Sequence, residues 1–319
     1  MKHLVLAIVI AIAGGCLAVA ETGDAPIKLT QTIPLPGVEG RIDHFALDTA
    51  GEILFVCALS NNSVEVIDLR RGERIRSITG LGSPQGVAYI PELNRLFIAN
   101  DKGGVCRIYD AKSYRLVGEI NFKDDADNVR YDEATKKTYV GFGSGGIGIV
   151  NAAESKLIGS IKLSAHPEAF ELEKIGKRIF VNVPNSRHVA VIDRDKGEIV
   201  ATWKTDLAFG NFPMALDEAN HRLFVGCRIP SKLVCLIRNP AMSLPRSTSP
   251  AIPMTFSTTA SAIAFMQSVV PVRSTSSSKL IPPATKPPLR LKPRMARGPG
   301  FLYRNETPCS SLFRIVAAR

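Results

Sequence analysis

The stretch DTAGEILFVCALSNNSVEVIDLRRGERIRSITGL, residues 48–81, carries three short apolar runs, "ILFVC", "VEVID" and "RIRSI", with Gly, Asn and Asp between them. β-Branched and aromatic side chains bounded by turn residues are strand-and-hairpin chemistry. No apolar spacing of 3.6 residues joins the runs, so the unit reads as β-structure throughout.

The unit then returns. "DTAGEILFVC" from Asp48 is followed by "PELNRLFIAN" from Pro91, "DEATKKTYVG" from Asp132, "EKIGKRIFVN" from Glu173 and "DEANHRLFVG" from Asp217, at spacings of 43, 41, 41 and 44 residues. After each core comes a run closing on a polar residue ("VEVIDLRRGE", "VCRIYDAKSY", "IGIVNAAESK", "VAVIDRDKGE"), then a third run ("RIRSITGL", "LVGEINF", "LIGSIKL", "IVATWKT"). A small sheet of this kind cannot cover both of its faces alone, so such units stack radially and each covers its neighbour. The fold expected is therefore an all-β propeller, one blade per repeat. A β-sandwich would not bring back the same turn chemistry at this period.

The Arg/Lys-x-Leu-Phe-Val core followed by "VxVID" and a Gly turn resembles the YVTN family of β-propeller repeats found in exported bacterial proteins, over residues 40–234. The Gly-His and Trp-Asp signatures of WD repeats are absent, and Trp203 is the one tryptophan. The resemblance implies a parent of seven blades. It leaves activity open, since related propellers include binding scaffolds, quinoprotein-like dehydrogenases and lactonases.

The repeat stops where it should continue. After Asp217 further cores are due near 259 and 300, yet residues 235–319 hold Ser/Thr-rich and Pro-rich sequence such as "IPPATKPPLRLKPR". Codons shifted by one base, with only wobble positions free, allow D-D-L-F-Y-D-S-E-R-N-R-I-Y-A-V-C-G-A-G-S-I-D-V for Met254–Ser276 and P-E-R-N-T-L-F-V-A-V-P for Arg304–Arg314. These hidden cores begin at 259 and 304, in period with the rest. The sequence is therefore read as 21–234 propeller blades, about four to five in frame, and 235–319 an out-of-frame, disordered basic tail produced by a frameshift. The other reading is a natural Ser/Thr/Pro-rich basic tail. A propeller cut short in this way is expected to be impaired, because the strand "IKLTQTIPL" at Ile27–Leu35, which would complete the last blade, loses its partners.

The tail also accounts for the charge. The chain carries +11 overall, but 12 of 40 Lys and Arg and 1 of 29 Asp and Glu lie in residues 235–319, so the remainder is balanced at 28 against 28. Basicity confined to the tail gives no ground for a nucleic-acid partner.

Met1-Lys2-His3, the apolar run Leu4–Ala13 and the small-x-small Ala18-Val19-Ala20 before Glu21 read as a signal peptide over residues 1–20, hence a periplasmic or secreted protein. A lipoprotein signal through Cys16 is a minor alternative. The run is too short and Gly-broken for a spanning helix, so no membrane contact is expected beyond the export signal. Cys57, Cys106 and Cys227 stand in apolar runs without metal spacing and read as buried thiols, a disulfide between two of them remaining open.

Propeller ligands enter at the channel mouth, where each blade's first strand starts. Polar residues recur there: Arg41, Asp43 and His44 in "GRIDHF", Gln85 in "SPQG", Asp125, Asp127 and Asn128 in "DDADN", His166 and Glu168 in "AHPEA", and Asn211 in "GNFPMA". Such a ring suits a small molecule or a protein partner, or a divalent metal; turn and channel-lining roles are the plainer alternative. His188 and His221 read as solvated residues of hairpin turns, and "GFGSGGIG" (141–148) as a hairpin, since no helix follows to form a phosphate cradle. No nucleophile–base pair or G-x-S-x-G elbow appears. The expectation is an exported, non-catalytic binding propeller, with a quinoprotein-dehydrogenase-like or lactonase-like enzyme as the alternative.

Overall fold

The computed structural model describes residues 27–205, 208–237 and 311–318. Residues 1–26, which include the expected signal peptide, and residues 206–207, 238–310 and 319 lie outside the described residues. The fold is an all-β propeller of five blades, with no α-helix among the described residues. No described helix is long and apolar enough to cross a membrane.

The first blade is a four-stranded sheet of β2 (Phe45–Asp48), β3 (Ile53–Ala58), β4 (Ser63–Asp68) and β5 (Glu73–Ile78), in that order. The second runs β6 (Pro84–Ile90), β7 (Arg95–Asn100), β8 (Val105–Asp110) and β9 (Leu116–Asn121). The third runs β10 (Ala126–Asp132), β11 (Lys137–Phe142), β12 (Gly146–Asn151) and β13 (Lys156–Lys162), the fourth β14 (Phe170–Leu172), β15 (Arg178–Val183), β16 (His188–Asp193) and β17 (Glu198–Lys204). The fifth has three strands, β18 (Phe209–Asp217), β19 (Arg222–Ile229) and β20 (Ser231–Ile237). All neighbours are antiparallel, as hairpin connections require.

The apolar runs fall on the second and third strands because these are covered on both faces. On β3, Phe55 and Cys57 pack toward Val87, Leu96 and Ile98 of blade two, while Val56 and Ala58 face the other way. That second face is covered by Ile33 and Leu35 of β1 (Ile27–Leu35). β1 thus lies on the outer face of blade one, where a preceding blade would sit. It pairs with β21 (Ser311–Ala318), near the end of the tail. The outer strands are polar and half exposed, as in β5, where Ile78 alone is buried, because solvent bounds them on one side.

The blades share a second signature. A register shift recurs between third and fourth strands at Val66/Ile67, Ile108/Tyr109, Ile149/Val150 and Val191/Ile192. β20 carries the fifth repeat past Val234, with Cys235 and Leu236 buried opposite Phe224 and Leu223. Cys57, Cys106, Cys227 and Cys235 are free and buried, so no disulfide joins them.

Two local readings change or hold. His188 opens β16 rather than sitting in a turn and is half-buried, with burial lowering its pKa. "GFGSGGIG" is the β11–β12 hairpin.

Candidate functional site

The cross-strand pairs Phe45↔Val56, Val87↔Ile98, Val129↔Val140, Phe170↔Val181 and Met214↔Val225 put the five blades in common register. Two residues earlier, that register places Asp43, Gln85, Asp127, Glu168 and Phe212 at equivalent positions. Register shifts at Pro84/Val87, Ala126/Val129 and Asn211/Met214 release Gln85, Asp127 and Phe212 from the ladder, and a bulge re-aims the side chains it frees.

Contacts link the mouth from blade to blade. His44 Nδ1 lies 3.2 Å from the Gln85 carbonyl and 3.1 Å from Asp43 Oδ1. Gln85 Nε2 donates to Asp125 Oδ1 at 2.7 Å. His166 donates from Nδ1 to the Gly143 carbonyl at 2.6 Å, and its Nε2 stands 3.8 Å from Asp125 Oδ2 and 3.9 Å from Asp127 Oδ2. Glu168 feels the charges of Asp127, His166, Arg228 and Asp43. On blade five, Arg228 stacks 3.6 Å above the Phe212 ring, adding a cation.

Burial and charge set the protonation of this cluster. Burial pushes Asp125 up to about 6 and Glu168 up to about 8, because neighbouring carboxylates offset the help of His166. The facing Asp127 carboxylate lifts His166 to about 9 against the cost of burial, with the Gly143 carbonyl and Asp125 adding to it. His44 is buried too, yet Asp43 raises it above the ordinary histidine value. Both shifts favour the protonated forms, a neutral Glu168 beside a cationic His166.

Asp127 is the least satisfied member. It is 3% exposed, Oδ2 accepts from Asn128 Nδ2 at 3.2 Å, and Oδ1 has no hydrogen-bond partner among the described residues. The Asn128 Oδ1 is likewise unpartnered and buried. A buried acceptor left open costs about 1–3 kcal/mol, which a donor arriving from a ligand would recover. Glycine at 86 makes the approach possible, since a Cβ there would collide with the Asp127 carbonyl.

The residues expected from sequence separate into two groups. Asp43, His44, Gln85, Asp125, Asp127, Asn128, His166 and Glu168 come together. Arg41 is on the rim, largely exposed and paired to Asp43 at 2.6 Å. Asn211 goes elsewhere: its Nδ2 donates to Asn182 Oδ1 and the His188 carbonyl, both at 3.0 Å, so it ties blade five to blade four. No group of three or more His, Cys, Asp or Glu among the described residues is placed to hold a metal ion.

Below the mouth is a cleft of about 300 Å³ lined by the first strands of blades one to four. It brings in Arg130 and Glu171, which the sequence reading passed over. The signal was available: they stand at the same register, one residue after Val129 and Phe170, where blades one, two and five carry Ala46, Ala88 and Ala215.

No protein-family model matches the chain. Solved structures of similar fold are many, 1557 chains, so fold alone does not choose an activity. One of them, the Kuenenia stuttgartiensis hydrazine synthase, superposes with a TM-score of 0.50 at 17% identity, covering 66% of this chain and 68% of that one. The likeness is one of propeller fold.

Proposed function

We propose that the protein is an exported, non-catalytic β-propeller that binds a small ligand at the mouth of its channel, through Asp43, His44, Gln85, Asp127, His166 and Glu168. The observation that carries this is the buried Asp127 carboxylate, one oxygen open, at the meeting point of contacts from neighbouring blades. A small molecule is favoured over a protein because the cleft beneath is only about 300 Å³, the lower end of ligand pockets. Export rests on the leader-like residues 1–20, and descent from a seven-bladed YVTN-type parent rests on the 41- to 44-residue period and the hidden cores near 259 and 304.

The test is a thermal-shift screen of small polar metabolites, followed by calorimetry, on the full chain and on Asp127→Asn. A ligand that raises the midpoint for the wild type and loses at least tenfold in affinity with the variant supports the reading. Hits that bind both proteins equally would place the ligand elsewhere. A stoichiometric divalent cation in the purified chain, or turnover of a lactone, would favour the enzyme.

A further inference from the structure

We propose that the cleft below the mouth binds a small zwitterion of amino-acid type, its carboxylate received by the Arg130 guanidinium and its ammonium by the Glu171 carboxylate. The inference rests on the reading of the channel as a ligand site and names the ligand's chemistry.

At equivalent positions around the channel, Ala46, Ala88 and Ala215 keep three blades small, and Arg130 and Glu171 supply opposite charges on the adjacent blades three and four. Space and charge therefore occur at one level of the channel, with both ionic residues lining the same cleft.

The two form only a loose ion pair. Arg130 Nη2 stands 3.8 Å from Glu171 Oε1, beyond hydrogen-bond distance, and each side chain is 26% exposed. Arg130 donates from Nη1 to the Val129 carbonyl at 3.0 Å and lies 5.6 Å from the Phe170 ring centre. The Glu171 carboxylate accepts no hydrogen bond among the described residues, and burial raises its pKa. A guanidinium with spare donors matches a carboxylate bidentately, while an open carboxylate matches an ammonium.

Surrounding charge selects a ligand carrying both signs. His44 lines the cleft, and Asp43 and Asp127 raise its pKa against burial and the Arg130 charge. A net anion would meet those carboxylates and Glu171, and a net cation would meet Arg130. A zwitterion adds no net charge to the balance. Phe45, Leu47, Tyr89 and Tyr131 form the remaining wall and suit a short apolar side chain.

Calorimetry on the full chain at pH 7 with L-alanine, propanoate and ethylamine tests the proposal. L-Alanine should bind saturably and at least about tenfold more tightly than either half-molecule. Glu171→Gln, which keeps shape, should weaken L-alanine about tenfold and leave propanoate unchanged; Arg130→Gln should weaken both. Ala88→Leu keeps every charge and fills the cleft, so it should abolish L-alanine binding. Circular dichroism confirms that each variant retains the wild-type β-signal. Equal binding of the three probes, or L-alanine affinity unmoved by Glu171→Gln or Ala88→Leu, would overturn the proposal. A screening hit lost with Asp127→Asn but indifferent to Arg130→Gln and Glu171→Gln would also overturn it while leaving the mouth site standing.

Discussion

His166 Nε2, on blade four, faces Asp127 Oδ2, on blade three, across 3.9 Å, while its other ring nitrogen is fixed to the Gly143 carbonyl at 2.6 Å. Both partners belong to blade three, so the ring is held and charged across one interface, and its protonation becomes part of the stability of that interface.

Stability should fall as pH rises. Asp125, Glu168 and His166 all bind their protons more tightly folded than unfolded, so the folded chain holds more protons between the ordinary and the raised value of each. Those windows run from 3.8 to about 6, from 4.5 to about 8 and from 6.5 to about 9. Asp43, whose pKa is lowered, acts with opposite sign only near and below 3.8, and His188, also lowered, opposes only below 6.5. Thermal melts should show a higher midpoint at pH 5 than at pH 9. Glu168→Gln cannot ionise, so the variant should gain on the wild type between pH 5 and 9. A midpoint that rises over that range contradicts the cluster.

Gly86→Ala should disturb the mouth without touching an ionisable group. The added methyl collides with backbone at Asp127, which cannot rotate away. A loss of about 1–3 kcal/mol in chemical denaturation is expected, as for other overpacked sites. A change below about 0.5 kcal/mol, the range of ordinary surface substitutions, would show that blades two and three approach less closely than described.

Asn211→Ala should loosen blade five. It removes donors to the Asn182 oxygen and the His188 carbonyl, and Asn182 in turn donates to the Phe212 carbonyl at 2.9 Å. Orphaning these buried groups should cost about 1–3 kcal/mol. Hydrogen exchange should rise first at Leu223–Cys227, leaving β6–β9 protected. Uniform exchange across the chain would refute a local tie.

The reading frame can be tested directly. If residues 235–319 are out of frame, a chain restored after Val234 should be more soluble and unfold in one cooperative step, since blade interfaces exceed by far the roughly 5–15 kcal/mol by which a domain is stable. The chain as it stands should aggregate more readily, because blade five has three strands among the described residues and a blade edge left open invites pairing. A full chain as soluble and cooperative as the restored one would rule the frameshift out.

The blades were legible because alternation and turn chemistry recur, and a repeat amplifies a weak signal at every turn: "ILFVC" alone is ambiguous, but its return at Leu96, Tyr139, Ile179 and Leu223 is not. The mouth was legible in part for the same reason. Asn211 misled because it precedes the bulge and turns between blades, a one-residue difference that the motif "GNFPMA" does not reveal. Arg130 and Glu171 were missed because a charged residue inside a strand reads as facing solvent, and only the register shows that this side of the first strand faces a channel. β21 could not be foreseen, as its partner β1 is nearly the whole chain away.

The most direct measurement is histidine NMR. The chain has five histidines, of which His44 and His166 belong to the mouth. With ring-labelled histidine, His166 should titrate near 9 and His44 above 6.5, Asp127→Asn should move both downward, and a ligand from the screen should shift both resonances while leaving His221 in place. Independent titration of His44 and His166 near 6.5, unaffected by Asp127→Asn and by ligand, would contradict a single binding site at the channel mouth.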